Sequence, residues 1–207
     1  MSKSAQLSIA RDTLLGSRRL AAEIASAAPT AQRLVKEHFG RRPLKAVDLV
    51  VTSTKRLPGL AAAAQGVAAG IPADVYREKV LSLTAKPGGL YSVTVIAPNH
   101  TVQILLNSRR LRRRPREIGA TLVWAFVEVD QLGRKGAVDR RIALTRHEMG
   151  TDVLSKSKAR GLYRIEAEME AEAEKATEQI VGKVIRQNRQ AEAAAREEAA
   201  TAHSTAA

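Results

Sequence analysis

The sequence predicts an α+β fold: a small twisted sheet with an antiparallel hairpin packed on helices, followed by a long C-terminal helix. Three observations predict it. Residues 91–107 alternate in polarity on both sides of a Pro98-Asn99 turn. Residues 115–132 are apolar around most of a helical circumference. Beyond about residue 158 the chain becomes an Ala/Glu-rich run with alternating three- and four-residue apolar steps.

Composition bounds the rest. The chain has 207 residues, room for one domain with an appendage, and we divide it into a domain over 1–155 and a helix over 156–207. Hydrophobic residues make up 44% and aromatics 3%, so the core must be built from Ala, Val, Leu and Ile. The absence of cysteine excludes disulfide scaffolds, thiolate zinc fingers, iron–sulfur clusters and thiol nucleophiles. No apolar run reaches the ~20 residues of a membrane span, and Met1 to Leu7 lacks a signal pattern, so no membrane contact and a cytoplasmic location are expected. Net charge is +13, but residues 1–160 hold 28 basic and 12 acidic side chains, whereas residues 161–207 hold 6 and 9.

In order along the chain, residues 5–26 read as an Ala/Leu helix with Leu7, Leu14, Leu20 and Ile24 near one face. A second short helix is expected from Thr30, its N-cap, to Gly40 just past its end. Val47 to Ser53 is β-branched and short, a buried strand. Residues 57–69 are helical but weakened by Gly66, and a further helix is expected from Pro72 to Leu83. The Tyr91–Ile96 and Thr101–Asn107 strands form the hairpin, with Val102, Ile104 and Leu106 on one face.

The helix from Pro115 to Leu132 carries Ile118, Leu122, Phe126, Val129 and Leu132 on its main stripe, and Val123 and Val127 opposite. A helix apolar on two sides belongs in an interior. Its polar residues Glu117, Thr121, Trp124, Glu128 and Gln131 step by four and three, so they share one wedge that is expected to line a cleft. Gly133 and Gly136 end it, and another helix follows over 138–149.

A hairpin strand ending in Leu-Leu-Asn107, an Arg-rich connector and the run Thr121-Leu-Val-Trp-Ala-Phe-Val-Glu128 together resemble the small zincin-type metallopeptidases, over roughly residues 45–150. In that family the same helix bears HExxH. The resemblance implies a zincin-like sheet-and-helix fold with a cleft between the two, but the motif is degenerate. Trp124 stands at the first zinc-binding His, Ala125 at the catalytic Glu and Glu128 at the second His. Indole nitrogen offers zinc no lone pair, and alanine cannot accept a proton.

The expectation is therefore a non-catalytic, zincin-like protein that acts by binding, a pseudo-metallopeptidase with no cofactor. Trp124 and Glu128 would line the cleft, with the arginine cluster as its charged rim. A metallohydrolase with a substituted site would have to use Glu128, His147 and either Glu148 or Asp130, a weak oxygen-rich set. Set against that, Glu128 is a cleft acid paired to an arginine and His147 a surface residue.

Six of the eight residues from 109 to 116 are arginine: Arg109, Arg110, Arg112, Arg113, Arg114 and Arg116. One alternative function is nonspecific nucleic-acid binding, with these guanidiniums on phosphates and Arg41, Arg42, Arg134, Lys135, Arg140 and Arg141 extending the patch. The plainer alternative is a solvated loop, some of whose arginines pair with the Glu-rich C-terminal helix. No helix-turn-helix or aromatic stacking platform supports base-specific contact.

In that C-terminal helix Leu162, Ile165, Met169, Ala173, Ala176, Ile180 and Val184 form a seam. It fits either a protein partner or self-association, or packing on its own domain with the last third projecting. Gly88-Gly89 matches no phosphate-cradling loop, and His38, His100, His147 and His203 lie in caps, turns or the tail, where no Ser/His/Asp chemistry is supported.

Overall fold

The apolar β-branched runs do become strands, and they set the architecture. The computed structural model describes residues 7–11, 18–40, 46–72, 74–75, 90–98 and 101–205. Strand β1 (Leu7–Arg11), helix α1 (Arg18–Phe39), β2 (Val47–Thr52), α2 (Leu57–Ala68), β3 (Ser92–Ile96) and β4 (Val102–Asn107) come first. They are followed by α3 (Ser108–Arg113), α4 (Glu117–Leu132), α5 (Ala137–Glu148) and α6 (Lys156–Thr205). The fold is α+β, with a small mixed sheet and a long C-terminal helix.

The sheet has the order β1-β2-β4-β3. β1, β2 and β4 are parallel, with Val47 beside Val102 and Thr52 beside Asn107. β3 runs antiparallel on the edge, pairing Thr94 with Ile104. The two central strands are covered on both faces, which explains their nearly continuous apolar sequences. Leu49, Val51, Ile104 and Leu106 face α1 and α4, whereas Val50, Leu105 and Val95 pack on Leu57 and Ala61 of α2.

α4 occupies the middle of the larger layer, between α1 on one side and α6 on the other. Leu122, Ala125, Phe126, Val127 and Val129 are all fully buried, as the two-sided apolar pattern requires. α6 lays Ala173, Ala176 and Ile180 against this layer. The expected seam is thus turned inward along the chain's own domain, and residues 185–195 are exposed throughout. Among the described residues no helix is long and apolar enough to cross a membrane.

Three expectations are corrected. Residues 5–26 are not one helix: Leu7–Arg11 is the edge strand β1, and α1 starts only at Arg18. Helix propensity is worth a few tenths of a kcal/mol per residue, and the ladder to β2 together with packing of Ile9 on the core outweighs it. No separate helix begins at Thr30, because α1 runs through Pro29. Pro29 sits on the exposed side, where water can take the carbonyl its missing N–H leaves free, while Ala28 and Ala31 stay buried. Gly40 ends this helix at φ 80°, as expected of a left-handed C-terminal glycine. Finally, the arginine-rich connector is not a loop but the short helix α3. The helix expected over Pro72–Leu83 falls mostly outside the described residues, as do Asn99 and His100.

Candidate functional site

α4 places the polar wedge at the junction with α5 and α6. Trp124, Glu128 and Gln131 line a cleft of about 430 Å³, with Arg141 of α5 and Tyr163, Glu166, Met169 and Glu170 of α6 opposite. Glu117 lies half-buried at the first turn and Thr121 is buried; neither lines the cleft. Of the five residues expected on the wedge, Trp124, Glu128 and Gln131 line this cleft.

Glu128 is the chemically distinctive member. Burial pushes its carboxyl pKa above the ordinary value. The Thr94 hydroxyl of β3, the Arg141 charge and the Trp124 side chain pull it back, and Glu170 pushes it further up. Thr94 Oγ1 is buried and meets no partner at ordinary hydrogen-bond geometry, so the neighbouring carboxyl is its natural acceptor. Arg141 also pairs with Glu166 at 2.5 Å, so its charge is shared between two carboxyl groups. At the mouth, the Tyr163 phenol is held above its usual pKa, by desolvation first and then by the charge of Glu148 and a hydrogen bond to it.

α6 is strapped across this wall. Gln131 Nε2 donates to the Met169 carbonyl at 2.7 Å and to Glu172 at 3.1 Å. The Arg134 guanidinium grips both oxygens of the same Glu172, at 2.6 and 2.8 Å. Glu172 and Glu166 of the C-terminal helix thus pair with Arg134 and Arg141, and among the described residues none of its carboxylates pairs with the arginine cluster.

Zinc is the ion the resemblance implies, and the donor set does not fit it. Indole, methyl and a single carboxyl occupy the three positions that the resemblance singles out. The substituted set is also dispersed. His147 Nδ1 takes the Leu154 N–H at 3.3 Å and lies 3.2 Å from the Asp152 carbonyl. Asp130 is buried beside Arg134 at 3.6 Å, and Glu148 faces Tyr163. Among the described residues no three His, Asp or Glu side chains gather closely enough to hold a metal.

The arginine cluster is elsewhere and does not rim the cleft. Arg109, Arg110, Arg113 and Arg114 line a separate pocket of about 400 Å³ with Thr54 and Tyr91, sharing no lining residue with the first. Arg112 turns back to the Ser108 carbonyl of its own helix, and Arg116 is exposed beyond it. Among the described residues none of the six forms an ion pair. Arg140 hydrogen-bonds the Lys135 carbonyl, and Arg41 and Arg42 lie outside the described residues.

Sequence reasoning missed the residues that approach from distant segments: Thr94, Arg141, Tyr163, Glu166 and Glu170 at the cleft, Thr54, Tyr91 and Asn107 at the arginine pocket. Only Asn107 had a local signal, a helix-capping side chain immediately before Ser-Arg-Arg. No protein-family model, no curated protein and no solved structure matches this chain.

Proposed function

We propose that this chain is an intracellular, non-catalytic protein of zincin-like build that acts by binding through the Trp124–Glu128 cleft. The observation that carries the reading is the setting of α4, an interior helix beside the antiparallel edge strand β3. At the family's metal-binding positions it presents Trp124 and a Glu128 carboxyl turned toward Thr94. An indole face and a carboxyl that gains a proton readily suit recognition of a ligand; neither can hold and activate a zinc-bound water. α6 supplies the opposite wall, so a protein partner engaging the cleft would contact this helix as well.

The test uses Trp124, the only tryptophan in the chain, as a reporter inside the cleft. Protein purified without chelator is expected to carry no stoichiometric zinc, to show no peptidase activity, and to keep its tryptophan emission unchanged on zinc addition. One tightly held zinc per chain, or a saturable emission change with zinc, would overturn the reading.

A further inference from the structure

The pocket at the carboxyl ends of β2 and β4 is independent of the cleft and has its own chemistry. α3 is held down by Leu111, 1% exposed, and by Ser108, 3% exposed. At about 100° per residue, this anchoring places Arg109, Arg110 and Arg113 together in a wedge on the opposite side, with Arg114 continuing it.

The support beneath the wedge is rigid. Asn107, 1% exposed, accepts a hydrogen bond from Thr54 Oγ1 at 2.8 Å and from the Arg110 N–H at 3.3 Å, and donates to the Leu90 carbonyl at 3.0 Å. One buried amide thus ties together the turn after β2, the entry to β3 and the start of α3. The Arg110 guanidinium lies 5.8 Å from the centre of the Tyr91 ring, which fixes a flexible side chain over an aromatic face.

Four guanidiniums around one cavity repel one another. At the cleft, by contrast, carboxylates answer the arginines: Arg134 pairs with Glu172, and Arg141 with Glu166. Here no described carboxylate does so. Guanidiniums present planar donor forks matched to phosphate oxygens, and the carboxyl end of parallel strands is where open α/β sheets take ligands.

We propose that Thr54, Tyr91, Arg109, Arg110, Arg113 and Arg114 form a phosphate-binding pocket. The phosphate could come from a nucleic-acid backbone or from a free polyphosphate, and the geometry serves both in the same way.

The experiment compares the full chain with R109A/R113A, whose two side chains are exposed, and with R186A/R189A, an equal loss of charge on the projecting end of α6. The probes are a labelled DNA duplex, followed by anisotropy, and inorganic tripolyphosphate, followed by calorimetry, both beginning at about 50 mM salt. For the duplex, four phosphate contacts predict a log–log salt slope of about −4, which R109A/R113A should reduce by about 2 with at least a tenfold loss of affinity. For tripolyphosphate, the same variant should lose most of its binding heat. R186A/R189A should match the unaltered chain with either probe. Binding of the duplex alone identifies a strand backbone as the source, and comparable binding of tripolyphosphate identifies a free polyphosphate. Absence of binding to both probes, or equal losses in the two double variants, would overturn the proposal.

Discussion

Gln131 donates its side-chain amide to the main-chain oxygen of Met169, 2.7 Å away and 38 residues later in the chain. The bond crosses from the most buried helix to the longest one, beside a cleft that belongs to neither alone. It turns a residue read as part of a polar wedge into a tether between α4 and α6.

Removing that tether should be costly. Gln131→Ala deletes both the bond to Met169 and the one to Glu172, in a residue 2% exposed. Losing two hydrogen bonds, one of them to a charged acceptor, together with the packing of a buried side chain predicts a loss of about 1–3 kcal/mol in urea unfolding. Arg134→Ala and Glu172→Ala should couple by only about 0.5–1 kcal/mol in a double-mutant cycle, since that pair is partly in water.

Asn107→Ala should act through three segments at once. It strips the cap of α3 and leaves Thr54 and the Leu90 carbonyl without their partner. A fall of about 1–3 kcal/mol is expected, visible as a lower thermal midpoint. A neutral result would mean that Asn107 does not organise this corner.

Glu128 predicts a pH dependence of definite sign. Its native pKa lies above the ordinary value, so the native state holds the proton more tightly than the unfolded chain does. Stability from this group is therefore present in acid and declines as pH rises from the ordinary carboxylate value through the native one. Arg141 from α5 and Glu170 from α6 face the carboxyl and have opposite effects on it, but burial dominates. Glu128→Gln should be more stable than the parent at neutral pH and equal to it at low pH. Chemical denaturation at both pH values reads the difference, and greater loss at neutral pH would contradict it.

The small-residue seam of α6 sets how closely it can approach α4. Ala173 and Ala176 are 1% and 3% exposed. Ala176→Leu should cost about 1–3 kcal/mol by overpacking. Deleting residues 187–207 should change stability by no more than about 0.5 kcal/mol, because residues 185–195 are exposed throughout. Thermal melts of the two proteins separate the anchored half of the helix from the projecting one.

Much of this fold was legible because its signals are local and strong. The alternation around Pro98, the β-branched run from Val47 and the two-sided apolar pattern of residues 117–132 each fixed an element type without help from other segments. The wedge at Trp124, Glu128 and Gln131 was legible for the same reason, as helical periodicity alone sets which side chains share a face.

Tertiary structure decided what depends on distant neighbours. Leu7–Arg11 pairs as a strand only because β2 offers it an edge, and Pro29 survives inside α1 because that position faces water. Which arginines stay unpaired was likewise settled by distance in space. α6 brings Glu166 and Glu172 to Arg141 and Arg134, while α3 carries its guanidiniums to a separate pocket. Periodicity encodes faces, but partners across a face are chosen by the packing of whole elements, a cooperative free energy that no local window contains.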